Sequence, residues 1–428
     1  MRHCIKGGQI IDPAGGYIGI GDILIDSGKI VKVDKELAPG GAEITDARGK
    51  IVIPGLIDLH SHLREPGRED EETIESGTKA ALKGGFTAIA CMANTNPVAD
   101  NPVVIEYVKH QAKEKGYVKV YPVGAVTKGL LGEELAEMGE MAAVGAVAYS
   151  DDGKTITNAA VLRTACEYST LFNLPILLHE EEPKLAGAGV MHEGYWSTIL
   201  GLPGIPSLAE DVMTARDLLI AEFTKAKVHF CHVSTEKSVE LIRQAKQRGV
   251  KVTAEATPHH FTLTDEAIQG YDPVYRVSPP LRSAEDVEAV KEGLKDGTID
   301  AIATDHAPHT LEEKHREFSL APTGMIGFET ALALAWTQLV ETGWLTPEQL
   351  VIKMSVNPAQ IINRPGGNLK VGEPADVVLF DPKPTWVPEK SQIVSHSKNS
   401  PFIGRSLKGK VEAVWVDGNL KYCKEKFI

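Results

Sequence analysis

Eight apolar, β-rich runs recur along the middle of this 428-residue chain, and each turns polar at its C-terminal end rather than at its start. They are IVIPGLIDLHSHL, FTAIACMANT, VKVYPVGAV, AVGAVAYSDDG, LPILLHEEE, AKVHFCHVST, VKVTAEATPHH and IDAIATDHAPH. Between them lie stretches with helical amphipathic period, such as EETIESGTKAALKGG, NPVVIEYVKHQAKEKG, EDVMTARDLLIAEFTKA, STEKSVELIRQAKQRG and SAEDVEAVKEGLKDG. Near-continuous apolar runs are what strands buried on both faces require, and helices joining them imply parallel pairing. Eight such units predict an α/β chain built as a (β/α)8 TIM barrel. The competing open doubly wound sheet is disfavoured, because no G-x-G-x-x-G follows the first strand of the unit.

The chain ends have a different texture. Residues 1–53 and 368–428 read as short alternating strands punctuated by Gly and Asp, for example GDILIDSGKIVKVD and LKGKVEAVWVDGNLKYCKE. Neither end is long enough to bury a good sheet alone, so the two are expected to form one smaller, discontinuous β-sandwich, with residues 54–367 as the barrel.

Composition narrows the function. The 45 basic and 58 acidic residues give a formal charge of −13, which argues against a nucleic-acid partner. A small anionic substrate stays compatible, since one well-placed Arg dominates its own surroundings. No apolar run approaches the ~20 residues that span a bilayer, so no membrane partner is expected. MRHCIKGGQIIDP runs straight into strand-like sequence without a secretory or transit pattern, which predicts a cytoplasmic location. Cys4, Cys91, Cys166, Cys231 and Cys423 are far apart and contain no C-x-x-C. Any metal would therefore be held by His and carboxylate.

Such residues stand at the strand ends. His60 and His62 lie two apart, so on a strand both imidazoles face one side. Alone, H-x-H fits two edge-strand histidines equally well, but Val52, Ile53, Leu56 and Ile57 mark this strand as buried. His179 closes LPILLH, His232 closes VHFCH and Asp305 closes IDAIATD, each on what would be the active face of a barrel. Four histidines and an aspartate at four strand ends are hard to explain as packing, and they are the donor types a divalent ion takes when thiolates are absent. Arg64, two beyond His62, would share its side if the strand continued and could grip a carboxylate bidentately. In isolation it equally suits a polar surface loop.

The order His-x-His, His, His, Asp resembles the amidohydrolase superfamily. DLHSHLREPG, MANTNP, LLHEEEP, GLPGIPSLAEDVMTARD, CHVSTEKSVELI, TAEATPHHFTLTD, SPPLR, ATDHAPHT, GMIGFETAL and NPAQI are together similar to the bacterial zinc-dependent dihydroorotase family, over essentially the whole chain. The resemblance implies reversible cyclisation of N-carbamoyl-L-aspartate to L-dihydroorotate and water, in pyrimidine biosynthesis. It implies one or two Zn2+ ions per subunit on His60, His62, Asp152, His179, His232 and Asp305. Many relatives bridge two ions with a carboxylated lysine on the fourth strand. Here Asp152 takes that place, the neighbouring Asp151 is assigned to a turn, and Lys154 is a poorer rival beyond the glycine. Two ions roughly 3.5–4 Å apart would share an activated hydroxide. Asp305 would move the proton between that nucleophile and the ring nitrogen, with metal ligation alone as its competing role.

The resemblance further implies substrate contacts from His62, Arg64, Asn94, Ser278, His309 and Gly324. Asn94 and His309 would join Arg64 on the substrate carboxylate, although each also suits a turn or a solvated loop. Two positions depart from the family pattern: Ser278 stands where an Asn precedes PPLR, and Thr323 where an aromatic precedes GMIGFE. His259 and His260 are expected to support the site rather than ligate, and His306 to pack beside it. Glu180, Glu181 and Glu182 read as a charged rim, and HTLEEKHREF as a solvated loop beside the active face, a candidate lid. Alternatives are a hydantoinase or allantoinase on the same fold, or a weakly catalytic homologue partnering aspartate transcarbamoylase. Arg64, Asn94 and the missing strand-four lysine count against the first, and the complete ligand set against the second. Homodimerisation and association with that partner enzyme both remain compatible with the sequence.

Overall fold

Strands from the two chain ends meet in one sheet. A computed structural model describes residues 2–428. The strands Arg2–Asp12, Tyr17–Asp26 and Lys29–Asp34 form an antiparallel meander. The short strand Ile51–Pro54 then joins the halves. It runs parallel to the first strand (Ile10 opposite Val52) and antiparallel to Val377–Trp386 from the far end of the chain (Leu379 opposite Val52). With Glu43–Asp46, which pairs in parallel with the first strand, and Leu407–Val416, Asn419–Cys423 and Lys426–Phe427, the sheet reaches nine strands. Its inward positions, including Ile5, Ile23, Ile25, Val377 and Trp415, make one buried core. Alternation of β-branched residues with polar ones is what commits these segments to a sheet with one wet face.

The single run expected over residues 51–63 divides at Gly55. Ile51–Pro54 stays in the terminal sheet, and Leu56–Ser61 becomes the first barrel strand. Gly55 allows the passage: a Cβ there would lie 2.1 Å from Thr87 Oγ1 on the next barrel strand. Further parallel strands follow at Phe86–Cys91, Lys119–Pro122, Ile176–Leu178, Val228–Phe230, Val252–Ala256 and Ala301–Ile302. The fourth position is reduced to Tyr149, bridged to Gly124 on one side and Ile176 on the other. A parallel bridge from Ser61 to His306 closes the ring. Small and medium side chains fill its interior, among them Leu59, Ala88, Ala90, Leu177 and Ala303.

Helices such as Pro102–Lys115, Glu236–Gln247 and Ala284–Asp296 return the chain between strands, each started by a side chain (Asn101, Thr235, Ser283) that accepts from the exposed first-turn amides. Among the described residues, no helix is long and apolar enough to cross a membrane.

Candidate active site

The six expected ligands converge at the C-terminal ends of the barrel strands. His60 is the next-to-last residue of its strand, and His62 follows on the same side. Ser61 between them turns the other way and donates to the Ala90 carbonyl at 2.7 Å, which pins both imidazoles toward the barrel axis. Asp152 divides its two oxygens. Oδ2 lies 3.2 Å from His60 Nε2 and 3.4 Å from His62 Nε2, while Oδ1 lies 3.4 Å from His232 Nε2 and 3.6 Å from His179 Nδ1. Asp305 Oδ1 sits 3.2 Å from His62 Nε2 and 3.6 Å from His60 Nε2. All six side chains are buried.

The donors therefore fall into two groups, His60–His62–Asp305 and Asp152–His179–His232, and Asp152 also approaches the first through its other oxygen. Two observations show that these residues fit divalent metal. His60 Nε2 and Asp152 Oδ1 are buried with no hydrogen-bond partner, a costly state that a cation relieves. His179 Nδ1 and His232 Nε2 face each other at 3.0 Å, lone pair against whichever proton is present, where a shared ion would take both. His232 and Asp305 also hold left-handed backbone (φ 34 and 45), strain of a kind concentrated at functional sites. Burial alone would push the Asp152 and Asp305 carboxyls up, but the surrounding imidazoles, led by His60, outweigh it and hold both well below the usual carboxylate range.

Behind the ligands lie partners that fix the imidazole tautomers. His62 donates Nδ1–H to Asn94 Oδ1 at 2.8 Å, leaving Nε2 for the cluster. His60 does the same with Glu255 Oε1 at 2.8 Å, and Glu255 Oε2 takes the Nε2–H of His229 at 3.0 Å. His229 Nδ1 then accepts from the Thr253 hydroxyl at 2.8 Å. Burial would raise the Glu255 carboxyl, yet the two imidazoles bring it to about 2. Sequence reasoning overlooked Glu255 and His229, although a carboxylate inside the apolar run VTAEA was a visible signal.

The cluster floors a cavity of about 550 Å3 whose walls include Arg64, Asn94, Ser278, His309 and Gly324. Arg64 reaches it differently from the extended-strand expectation. The strand stops at Ser61, and Arg64 lies in the following loop with φ 63. Its Nε donates to the Pro308 carbonyl at 3.2 Å. His309 Nε2 lies 2.8 Å from the Thr323 carbonyl, and Asn94 approaches the cavity from the second strand's end. Gly324 has φ 134 and sits where a Cβ would come within 3.1 Å of His309 Nε2.

Other expected residues resolve individually. Asp151 points away from the ligands, accepting from the amides of Val126 and Thr127 at 2.8 and 3.0 Å, and Lys154 is exposed. His260 is tied to Thr257 Oγ1 and the Pro279 carbonyl, His259 is buried beside it, and His306 stacks on Phe328. Glu180 departs from the charged-rim expectation. It is 4% exposed and faces Asp217, and burial with that neighbour raises its carboxyl well above the ordinary value. The solvated-loop expectation for HTLEEKHREF also fails at its centre. Leu311–Lys314 is a capped helical turn, and Lys314 buries its ammonium among the carbonyls of Pro273, Arg276 and Pro322.

Comparison with known proteins agrees with this architecture. Residues 49–238 match the family described as dihydro-orotase-like. The dihydroorotase of Pelotomaculum thermopropionicum is 55% identical over 420 residues, 98% of each chain. The chain belongs to the dihydroorotase family. The family's member from Acetivibrio thermocellus is 53% identical, covering 97% of this chain and 98% of its own. Among solved structures, L-hydantoinase (dihydropyrimidinase) from Arthrobacter aurescens is similar at a TM-score of 0.90 and 26% identity, covering all of this chain and 97% of that one. As a dihydroorotase-family protein on this barrel, the chain is an enzyme of the metal-dependent cyclic amidohydrolase class.

Proposed function

We propose that this chain is a dihydroorotase, interconverting L-dihydroorotate and N-carbamoyl-L-aspartate in pyrimidine synthesis. The observation that carries the reading is one cavity holding both the ligand cluster and, across from it, Arg64 and His309. Hydantoin and dihydrouracil rings lack the carboxylate that such a pair binds.

The donor set of imidazoles and carboxylates suits zinc, and two donor groups joined by Asp152 suit two ions; Cys231 also lies within reach of His60 and Asp152, but burial pushes its thiol up and keeps it protonated. Zinc bound by these six residues supplies a Lewis acid and lowers the pKa of water to about 7. The protein's own part begins with orientation. Arg64, His309 and the amide of Asn94 hold the substrate carboxylate, and Ser278 and the Gly324 backbone line the ring. Asp305, kept ionised, accepts the proton as a water oxygen bonds to the ring amide carbon. It returns the proton to the ring nitrogen as the C–N bond breaks. Cyclisation runs the same transfers in reverse.

The test is hydrolysis of L-dihydroorotate beside hydantoin and dihydrouracil, followed by absorbance, on protein of measured zinc content. Turnover of dihydroorotate with the other rings far slower, and its loss in Asp305→Asn at retained fold, supports the reading. Preference for hydantoin or dihydrouracil overturns it.

A further inference from the structure

One carboxylate organises the cationic side of the cavity. Glu71, in the loop after the first barrel strand, is 1% exposed. Its Oε1 accepts the Nδ1–H of His309 at 2.7 Å and lies 3.0 Å from the Arg68 guanidinium. Its Oε2 lies 3.0 Å from Arg64 Nε. Two of these three partners, Arg64 and His309, line the cavity, and Arg68 lies behind them, paired also with Glu313 at 2.8 Å.

Geometry makes the grip directional. Glu71 and the Pro308 carbonyl both engage Arg64 at Nε, so the terminal nitrogens are what the guanidinium turns to other partners. Holding His309 by Nδ1 fixes the ring plane, with Nε2 on the cavity side beside Thr323. Glu71 is itself braced. Ser397 Oγ donates to its carbonyl at 2.7 Å, and two residues on, Asn399 donates to the carbonyls of Ala307 and Gly324. A segment near the C-terminus thus buttresses the loops carrying the clamp.

We propose that Glu71 is the positioning residue that sets the preference for a carboxylate-bearing ring, by aiming Arg64 and His309 together. This rests on the proposed role of those two side chains. A carboxylate beside the Arg64 guanidinium lowers its net attraction for an anion, so charge alone predicts tighter substrate binding when Glu71 is neutralised. Positioning predicts weaker binding, because a glutamine amide presents one acceptor where two donors need one each.

The experiment measures kcat and KM on L-dihydroorotate and on its carboxamide analogue, read as an inhibition constant where turnover is slow, for the zinc-loaded full chain, Glu71→Gln and Glu71→Asp. The expected result for Glu71→Gln is a KM for dihydroorotate raised about tenfold or more, kcat lowered less than about threefold, and a far smaller change for the carboxamide. Glu71→Asp keeps the charge but shortens the reach, and it should show the same KM defect; it also carries the test should the glutamine variant not fold. Metal content equal to the parent's excludes damage at the ligands. A KM at or below the parental value in either folded variant, or equal losses on both compounds, overturns the proposal. Failure of the parent to prefer dihydroorotate over the carboxamide overturns the carboxylate clamp itself, a distinct result.

Discussion

Glu255 Oε1 lies 2.8 Å from Nδ1 of His60, on the side of the ring away from the ligand cluster. A carboxylate accepts only, so this contact dictates which nitrogen of His60 carries the proton and which has its lone pair free for metal. His229 and Thr253 extend the same logic through the barrel wall.

Replacing Glu255 with Gln should therefore weaken zinc binding by about 10- to 100-fold, the range for losing such a support. Competition against a chromophoric chelator reads this without any turnover. Parental zinc affinity in a folded Glu255→Gln protein would make the contact merely structural.

Gly324 makes a separate prediction. At φ 134, with a Cβ position 2.7 Å from Ala307 Cβ and 3.1 Å from His309 Nε2, alanine must strain the backbone and displace the clamp. Gly324→Ala is expected to cost about 1–3 kcal/mol in urea unfolding and to raise KM for dihydroorotate, with zinc content retained. Unaltered KM and stability would show that the loop absorbs the methyl group freely.

The turn Leu311–Lys314 carries an acid-sensitive contact. Burial pushes the Glu313 carboxyl up, but hydrogen bonding from Arg68 outweighs it and holds the group at about 2, below its ordinary 4.5. A depressed folded value means the stabilisation is complete above about 4.5 and is lost as pH falls toward about 2. Glu313→Gln should flatten the stability profile in that window by no more than about 1 kcal/mol, the scale of a partly exposed ion pair. Denaturant midpoints measured across the window check the slope. A steeper slope in the variant would reverse the sign.

What the chain disclosed in advance follows physical lines. His60, His179, His232 and Asp305 were legible because buried strands are apolar throughout, so a polar residue at the end of each run stands out. The split at Gly55 was not, since Ile51–Pro54 and Leu56–Ser61 are equally apolar and differ only in which sheet they pair with. The fourth strand is short, centred on Tyr149, but its backbone is bonded to both neighbours, Ser150 N–H donating to the Gly124 carbonyl at 2.8 Å and Leu177 N–H to the Tyr149 carbonyl at 2.8 Å. An extended-strand argument set Arg64 on the side of His62; the two do line one cavity, but a left-handed loop delivers Arg64 there. Lys314 and Glu71 sat in charge-rich text that reads as solvated. Only the tertiary fold shows the carbonyls that collect one and the Arg64, Arg68 and His309 side chains that collect the other.

If the six ligands hold the metal that serves dihydroorotate chemistry, activity and bound zinc must rise together. Chelator-stripped protein is given zinc in steps, and hydrolysis of L-dihydroorotate is followed on the same samples as bound metal. Activity rising from near zero with bound zinc, and both bound zinc and activity falling in Asp152→Ala, is the predicted result. Full zinc binding by the native chain without turnover of dihydroorotate, or unchanged zinc binding in Asp152→Ala, would contradict the account.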